Sequence, residues 1–196
     1  MPGANLWSGA RIGLLGGTFN PAHDGHLHLT REALKRLALD HVWWLVSPGN
    51  PLKNTDALPS VEKRMATARR VASHPRITVT NIEEQLGTRY TIDTLTALQR
   101  VAPNVSFVWL MGADNMAQFS QWKSWEAIMQ RVPVAVFDRP GYSIEALNGT
   151  VARKFARARL PEGQASVVAD AEPPAWVFVP CARHPATATA IRQDHS

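Results

Sequence analysis

Two histidines stand three residues apart just after a glycine pair, in Gly16-Gly17-Thr18-Phe19-Asn20-Pro21-Ala22-His23-Asp24-Gly25-His26. If a helix begins near Asp24, His23 and His26 face one point. Paired imidazoles at a helix N-terminus can donate hydrogen bonds to phosphate oxygens and to charge developing at phosphorus. Gly16 and Gly17 let the backbone approach a phosphate and take unusual dihedrals, and the helix start adds positive partial charge. Gly25 removes a side chain where a ligand would clash. A single histidine at a helix start is usually a cap or a surface residue; the pair in this glycine-rich turn points to anion chemistry. The segment lacks the Gly-x-Gly-x-x-Gly fingerprint and the P-loop pattern. Zinc is the competing use of His23, His26 and His28. His28 should turn away from His26 on a helix, and remote Cys181 and His184 offer a weak fourth ligand, so no metal cage is expected.

The surrounding pattern alternates short apolar strands with amphipathic helices. Residues 11–15 read as a strand ended by the glycines, and Leu27, Thr30, Leu34 and Leu37 recur at helical spacing after Asp24. Strands are expected at 42–46, 77–80, 105–111, 133–137 and 176–179. Ser60 should cap a helix over 61–72, a third helix should cover 92–101, and 113–131 should be helical. The spacing predicts one helix over 143–160 and an exposed loop over 161–174. Repeated strand–helix–strand units argue for an α/β fold, a Rossmann-like parallel sheet with helices on both faces. Ligands of such sheets sit beyond the carboxyl ends of the strands, at the topological switch point.

The 196 residues, 45% of them hydrophobic and including seven Trp, suffice for one domain with a core. Cys181 is the sole cysteine, which removes an internal disulfide framework and suits a reducing compartment. No secretion signal or membrane span is read, so a cytoplasmic location is expected. The net charge of +5 fits either nucleic acid or a small polyanionic substrate. Its densest basic run, 153–159, reads as a solvated helix face and lacks the interleaved aromatics of single-strand binders. No nucleic-acid or membrane partner is expected, and the choice between monomer and homo-oligomer stays open.

The segment Gly16 to His26 resembles the signature of the His-x-Gly-His nucleotidyltransferase superfamily, and more narrowly that of the bacterial nicotinate mononucleotide adenylyltransferases. Further segments carry the likeness over about residues 11–192: Ser47 to Lys53, Tyr90-Thr91-x-x-Thr94-Leu95, Gly112-Ala113-Asp114-Asn115, Phe119-x-x-Trp122-x-x-Trp125 and Arg139-Pro140-Gly141. Thr187-Ala188-Thr189-Ala190-Ile191-Arg192 resembles the second nucleotide motif, with Ala188 replacing a hydroxyl residue. The resemblance implies an enzyme of NAD biosynthesis that joins ATP and nicotinate mononucleotide, giving deamido-NAD and pyrophosphate. It implies catalysis by His23 and His26, with Gly16, Gly17, Thr18, Phe19, Gly112, Asp114, Thr187, Thr189 and Arg192 around ATP. Lys53, Tyr90, Thr91, Trp122 and Arg139 would meet the acceptor. Magnesium is expected as a cofactor held mainly by the substrate phosphates, with no protein metal site. Nicotinamide mononucleotide or phosphopantetheine adenylyltransferases, and a non-catalytic nucleotide-binding module, are the alternatives.

Overall fold

A computed structural model describes residues 7–49 and 58–181. Seven parallel strands form one sheet in the order β3-β2-β1-β4-β5-β7-β6. They are β1 (Arg11–Gly17), β2 (His41–Val46), β3 (Ile77–Thr80), β4 (Ser106–Gly112), β5 (Val134–Phe137), β6 (Arg159–Leu160) and β7 (Trp176–Val179). The helices are α1 (Asp24–Arg36), α2 (Val61–Val71), α3 (Ile82–Gln85), α4 (Thr91–Val101), α5 (Ala113–Gln118), α6 (Trp125–Met129), α7 (Ser143–Asn148) and α8 (Thr150–Lys154). The chain winds outward from β1 to β3, then returns to place β4 on the other side of β1. That reversal makes the carboxyl ends of β1 and β4 the switch point.

The strands are buried on both faces, which is why they read as continuous apolar runs. Alternation still sorts the side chains. Ile12, Leu14, Trp43, Leu45, Phe107, Trp109 and Trp176 pack on one face, and Leu15, Val42, Trp44, Val108, Leu110 and Phe137 on the other. At the end of β1 the two glycines differ. A Cβ on Gly16 would stand 2.6 Å from the Trp109 ring, whereas one on Gly17 would meet nothing nearer than Phe19 at 3.6 Å. Gly16 therefore admits a tryptophan of β4, a packing role beside the nucleotide contact expected of it.

The second half departs from the sequence expectation in two places. The helix expected over 143–160 is broken by Gly149, whose extended backbone (φ −71°, ψ 172°) ends α7 and starts α8. A Cβ there would lie 2.9 Å from the Glu145 carbonyl, so the two helices meet at the glycine. The chain then gives a 3-10 turn and the short edge strand β6, and Arg153 and Arg157 do not share one helix. Residues 162–170, expected as an exposed loop, form a 3-10 helix with Ala165, Val168 and Ala169 buried. Arg11 holds Asp170 at 2.7 Å and Arg36 holds Glu162 at 3.1 Å, fixing that helix to β1 and α1. Helix α3 and strand β6 were not expected; four and two residues are too few for a periodic signal. Among the described residues, no helix is long and apolar enough to cross a membrane.

Candidate active site

Helix α1 begins where β1 ends, and its first turn is a reciprocal cap made by the two histidines. His23 is the N-cap: its Nδ1 accepts from the Gly25 N–H at 3.1 Å. In return the His23 N–H donates to Nδ1 of His26 at 3.3 Å. This is a capping box with imidazoles in place of the usual hydroxyl and carboxylate. The capping role and the shared-point role, set against each other in the sequence, coexist. Each Nδ1 accepts a backbone proton, so in each neutral ring the proton sits on Nε2. The ring centroids are 3.9 Å apart.

Burial pushes the His26 pKa down to about 3, helped by the neighbouring His23 and by the charge of Arg139. A group with that pKa is neutral through the physiological range, and its Nε2–H is a donor that needs no added proton. The ring is held from behind. Phe19 lies 4.7 Å from it and stacks on Trp44 at 5.1 Å. Trp44 Nε1 donates to Thr30 Oγ1 at 2.8 Å, and Thr30 Oγ1 donates to the His26 carbonyl at 2.8 Å. Phe19, not either glycine, carries the left-handed backbone of this turn, with φ 48°. Such a backbone is costly for a residue with a Cβ, and the buried ring, only 2% exposed, holds it in place.

Across the switch point, Gly112 ends β4 and Asp114 lies in the first turn of α5. Arg139 Nε comes to 3.5 Å from Asp114 Oδ1. A Cβ on Gly112 would fall 2.3 Å from that carboxylate and 3.0 Å from the guanidinium, so only glycine leaves them room. The pairing joins a residue expected at the ribose to one expected at the acceptor phosphate. Arg139 also lines a recess with Gly25, His28, Leu29, Phe137, Asp138 and Cys181. His28, expected to turn away from His26, shares a helix face with Gly25 and Leu29 at i, i+3 and i+4, and that face lines the recess. That spacing was the available signal for His28. Nothing in the sequence marked Asp138 or Cys181 as neighbours of α1, because their meeting depends on the β5–β7 pairing.

A second group gathers at the start of α4. Tyr90 is its N-cap residue and Thr91 its first residue. Lys123 Nζ lies 4.2 Å over the Tyr90 ring and 3.5 Å from Asp93, which brings the 122–124 turn against this helix start. Trp122 is half-buried and edge-on to Phe119 at 5.0 Å and Trp109 at 6.2 Å. Trp125 packs on Phe119 and Phe155, as expected of a core residue. Lys53, Thr187, Thr189 and Arg192 lie outside the described residues. No group of three or more His, Cys, Asp or Glu that could hold a metal ion occurs among the described residues.

Residues 14–194 match the cytidylyltransferase-like family model. A Cereibacter sphaeroides protein named "Probable nicotinate-nucleotide adenylyltransferase" is 53% identical over 92% of this chain and 95% of its own. The chain belongs to the cytidylyltransferase-like family, in its nicotinate-nucleotide adenylyltransferase branch. A relative of the same name from Bradyrhizobium sp. (strain BTAi1 / ATCC BAA-1182) is 51% identical, covering 93% of this chain and 95% of that one. Among solved structures, Plasmodium falciparum nicotinic acid mononucleotide adenylyltransferase complexed with NaAD superposes with a TM-score of 0.70. That likeness covers 94% of this chain and 83% of the other at 13% identity, and it shows the shared fold.

Proposed function

We propose that this protein is an adenylyltransferase converting nicotinate mononucleotide and ATP into deamido-NAD and pyrophosphate. The observation that carries the reading is the histidine pair at the switch point, two rings whose Nδ1 atoms are occupied by backbone N–H groups. Their Nε2–H groups would donate to the ATP phosphates and to the charge that grows at the α-phosphorus, with His26 the principal transition-state donor. Gly17, Thr18 and Phe19 would contribute backbone or hydroxyl contacts to the nucleotide, and Gly16 serves the site by admitting Trp109 behind it.

The acceptor's phosphate monoester has a second pKa near about 6, so it is mostly a dianion at neutral pH and needs no general base. It attacks the α-phosphorus in line, and pyrophosphate leaves. Positioning and charge neutralisation are the tasks left to the protein. Asp114, in the first turn of α5, would take the ribose hydroxyls, and Gly112 leaves the room it needs. Arg139, already paired with Asp114, would meet phosphate beside it. Thr187, Thr189 and Arg192 would hold the triphosphate and Lys53 the acceptor phosphate; these four assignments rest on the motif resemblance alone. Magnesium would be carried by the substrate phosphates and water, where it would neutralise charge. The reaction would take place in the cytoplasm, on one nucleotidyltransferase domain.

On the acceptor side, Trp122 would stack on the pyridine ring, with Tyr90 and Thr91 lining the pocket. Incubating the protein with ATP, magnesium and nicotinate mononucleotide tests the reading. It predicts one pyrophosphate and one deamido-NAD per turnover, with inversion at phosphorus when an α-thio-ATP diastereomer is used. Product with retained configuration would remove direct in-line attack, and no product would remove the activity.

A further inference from the structure

Arg64 is an unusual core residue. Its position on α2 is only 3% exposed, yet no carboxylate among the described residues pairs with it. A cation taken out of water needs compensation, and here four backbone carbonyls supply it. Nε donates to the Pro59 carbonyl at 2.8 Å. Nη1 donates to the carbonyls of Thr18 and Ser47, each at 2.7 Å, and Nη2 to that of Pro48 at 3.2 Å. A side chain needed only to fill space would be apolar. This one satisfies carbonyls on two loops that share no strand pairing at these positions.

The two loops are those that leave β1 and β2. The Ser47 N–H donates to the Gly17 carbonyl at 3.0 Å, one step beyond the end of β2. Arg64 takes over at the next residue, clasping Thr18 on one side and Ser47 and Pro48 on the other. Thr18 precedes Phe19, whose left-handed backbone aims its ring at Trp44 and His26. Pro48 leads toward the segment that includes Lys53.

We infer that Arg64 is a positioning residue for adenylyl transfer, a guanidinium clasp that fixes the loop supporting His26 relative to the loop that leaves β2. The inference rests on the adenylyltransferase reading for its kinetic consequence, though not for its structural one. The planar fork is what the clasp requires: Nε serves the helix start, Nη1 both loops, and Nη2 the loop after β2. An ammonium has a point charge and tetrahedral donors, and cannot span the same three segments. A displacement of about 1 Å between reacting groups can cost on the order of 10²-fold in rate.

Two variants and two readouts test this. Arg64→Lys keeps the charge and Arg64→Met keeps the volume. Both are assayed with saturating ATP and acceptor, well below their own unfolding midpoints, with rates normalised to folded protein. The expected result is a fall in kcat of about tenfold or more in both variants, with KM for ATP within about threefold of the parent. Amide hydrogen exchange is read on peptides covering 17–20 and 46–49, a measurement that needs no turnover. Arg64→Lys should lose protection in both peptides together. A smaller fall in kcat, or loss of protection in one peptide or neither, overturns the clasp. If the parent protein releases no pyrophosphate, the functional reading fails by itself and the exchange result still decides whether Arg64 couples the loops.

Discussion

The turn that starts α1 and the group that gathers at the start of α4 are built on opposite terms. Around α1 the polar atoms form a closed chain: Gly25 to His23, His23 to His26, Trp44 to Thr30, Thr30 to the His26 carbonyl. Around α4, contacts lie near the surface, and beneath them sits Glu83, 5% exposed, with Oε2 lacking a hydrogen-bond partner among the described residues. Burial raises its pKa to about 7 against a hydrogen bond from Thr94 that lowers it. The contrast matches a division of labour. Transition-state stabilisation needs donors that do not reorganise, and the histidine turn, with its polar atoms bonded to one another, suits that task. Acceptor choice would fall to the short turns around α4, where a substitution costs the core little.

The comparison breaks first at His26. His26→Ala should lower kcat by about 10²–10³ while ATP affinity changes far less, the scale of losing one preorganised donor. A steady-state rate within about threefold of the parent would remove His26 from the chemistry. The neutral ring has a second consequence. Because its folded pKa lies below the unfolded 6.5, the unfolded chain binds the extra proton between about pH 3 and 6.5, and this group's contribution to stability declines as pH falls through that window.

Glu83 has the opposite sign and a comparable size. Its folded pKa of about 7 lies above the unfolded 4.5, so its contribution is full below pH 4.5 and is lost as pH rises through 7. Glu83→Gln should therefore be more stable than the parent at pH 8 by up to about 3 kcal/mol, with the gap closing toward pH 5. Denaturant midpoints at the two pH values check this, and a gap that does not depend on pH contradicts a buried neutral carboxyl.

The two glycines of β1 sharpen the contrast at smaller scale. Gly16→Ala should cost about 1–3 kcal/mol, since the new methyl group meets the Trp109 ring. Gly17→Ala should change stability by less than about 1 kcal/mol and weaken ATP binding instead. Paired thermal melts and ATP titrations separate the two; equal melting temperatures would mean that Trp109 yields to the methyl group.

Much of this was legible in the sequence because the signals were local. The helix start after His23, the buried runs of β1, β2 and β4, and the helical recurrence of Leu27, Thr30 and Leu34 are all set by near neighbours. Thr30 shows the limit: its spacing placed it on the buried face, while its bond to Trp44 requires the α1–β2 packing. The helix expected over 143–160 failed because a single Gly149 among flanking helix formers takes an extended backbone and divides it. The 162–170 segment failed because its polar surface hid three buried small residues. The Asp114–Arg139 pair and the Arg64 clasp join residues far apart in sequence, and no local pattern announces them.

Acceptor choice tests the account most directly. Nicotinate and nicotinamide mononucleotides differ in a carboxylate against a carboxamide. In the proposed site, the backbone N–H groups of Lys123 and Ser124, both exposed and beside Trp122, would meet that group. Donors there satisfy a carboxylate but oppose the amide's own N–H groups, a mismatch that shape alone cannot produce. The measurement is kcat/KM for the two mononucleotides under identical ATP and magnesium. The account predicts a ratio of at least about 10² in favour of nicotinate mononucleotide. Comparable values for the two would contradict the assignment and leave the adenylyltransferase chemistry without its acceptor.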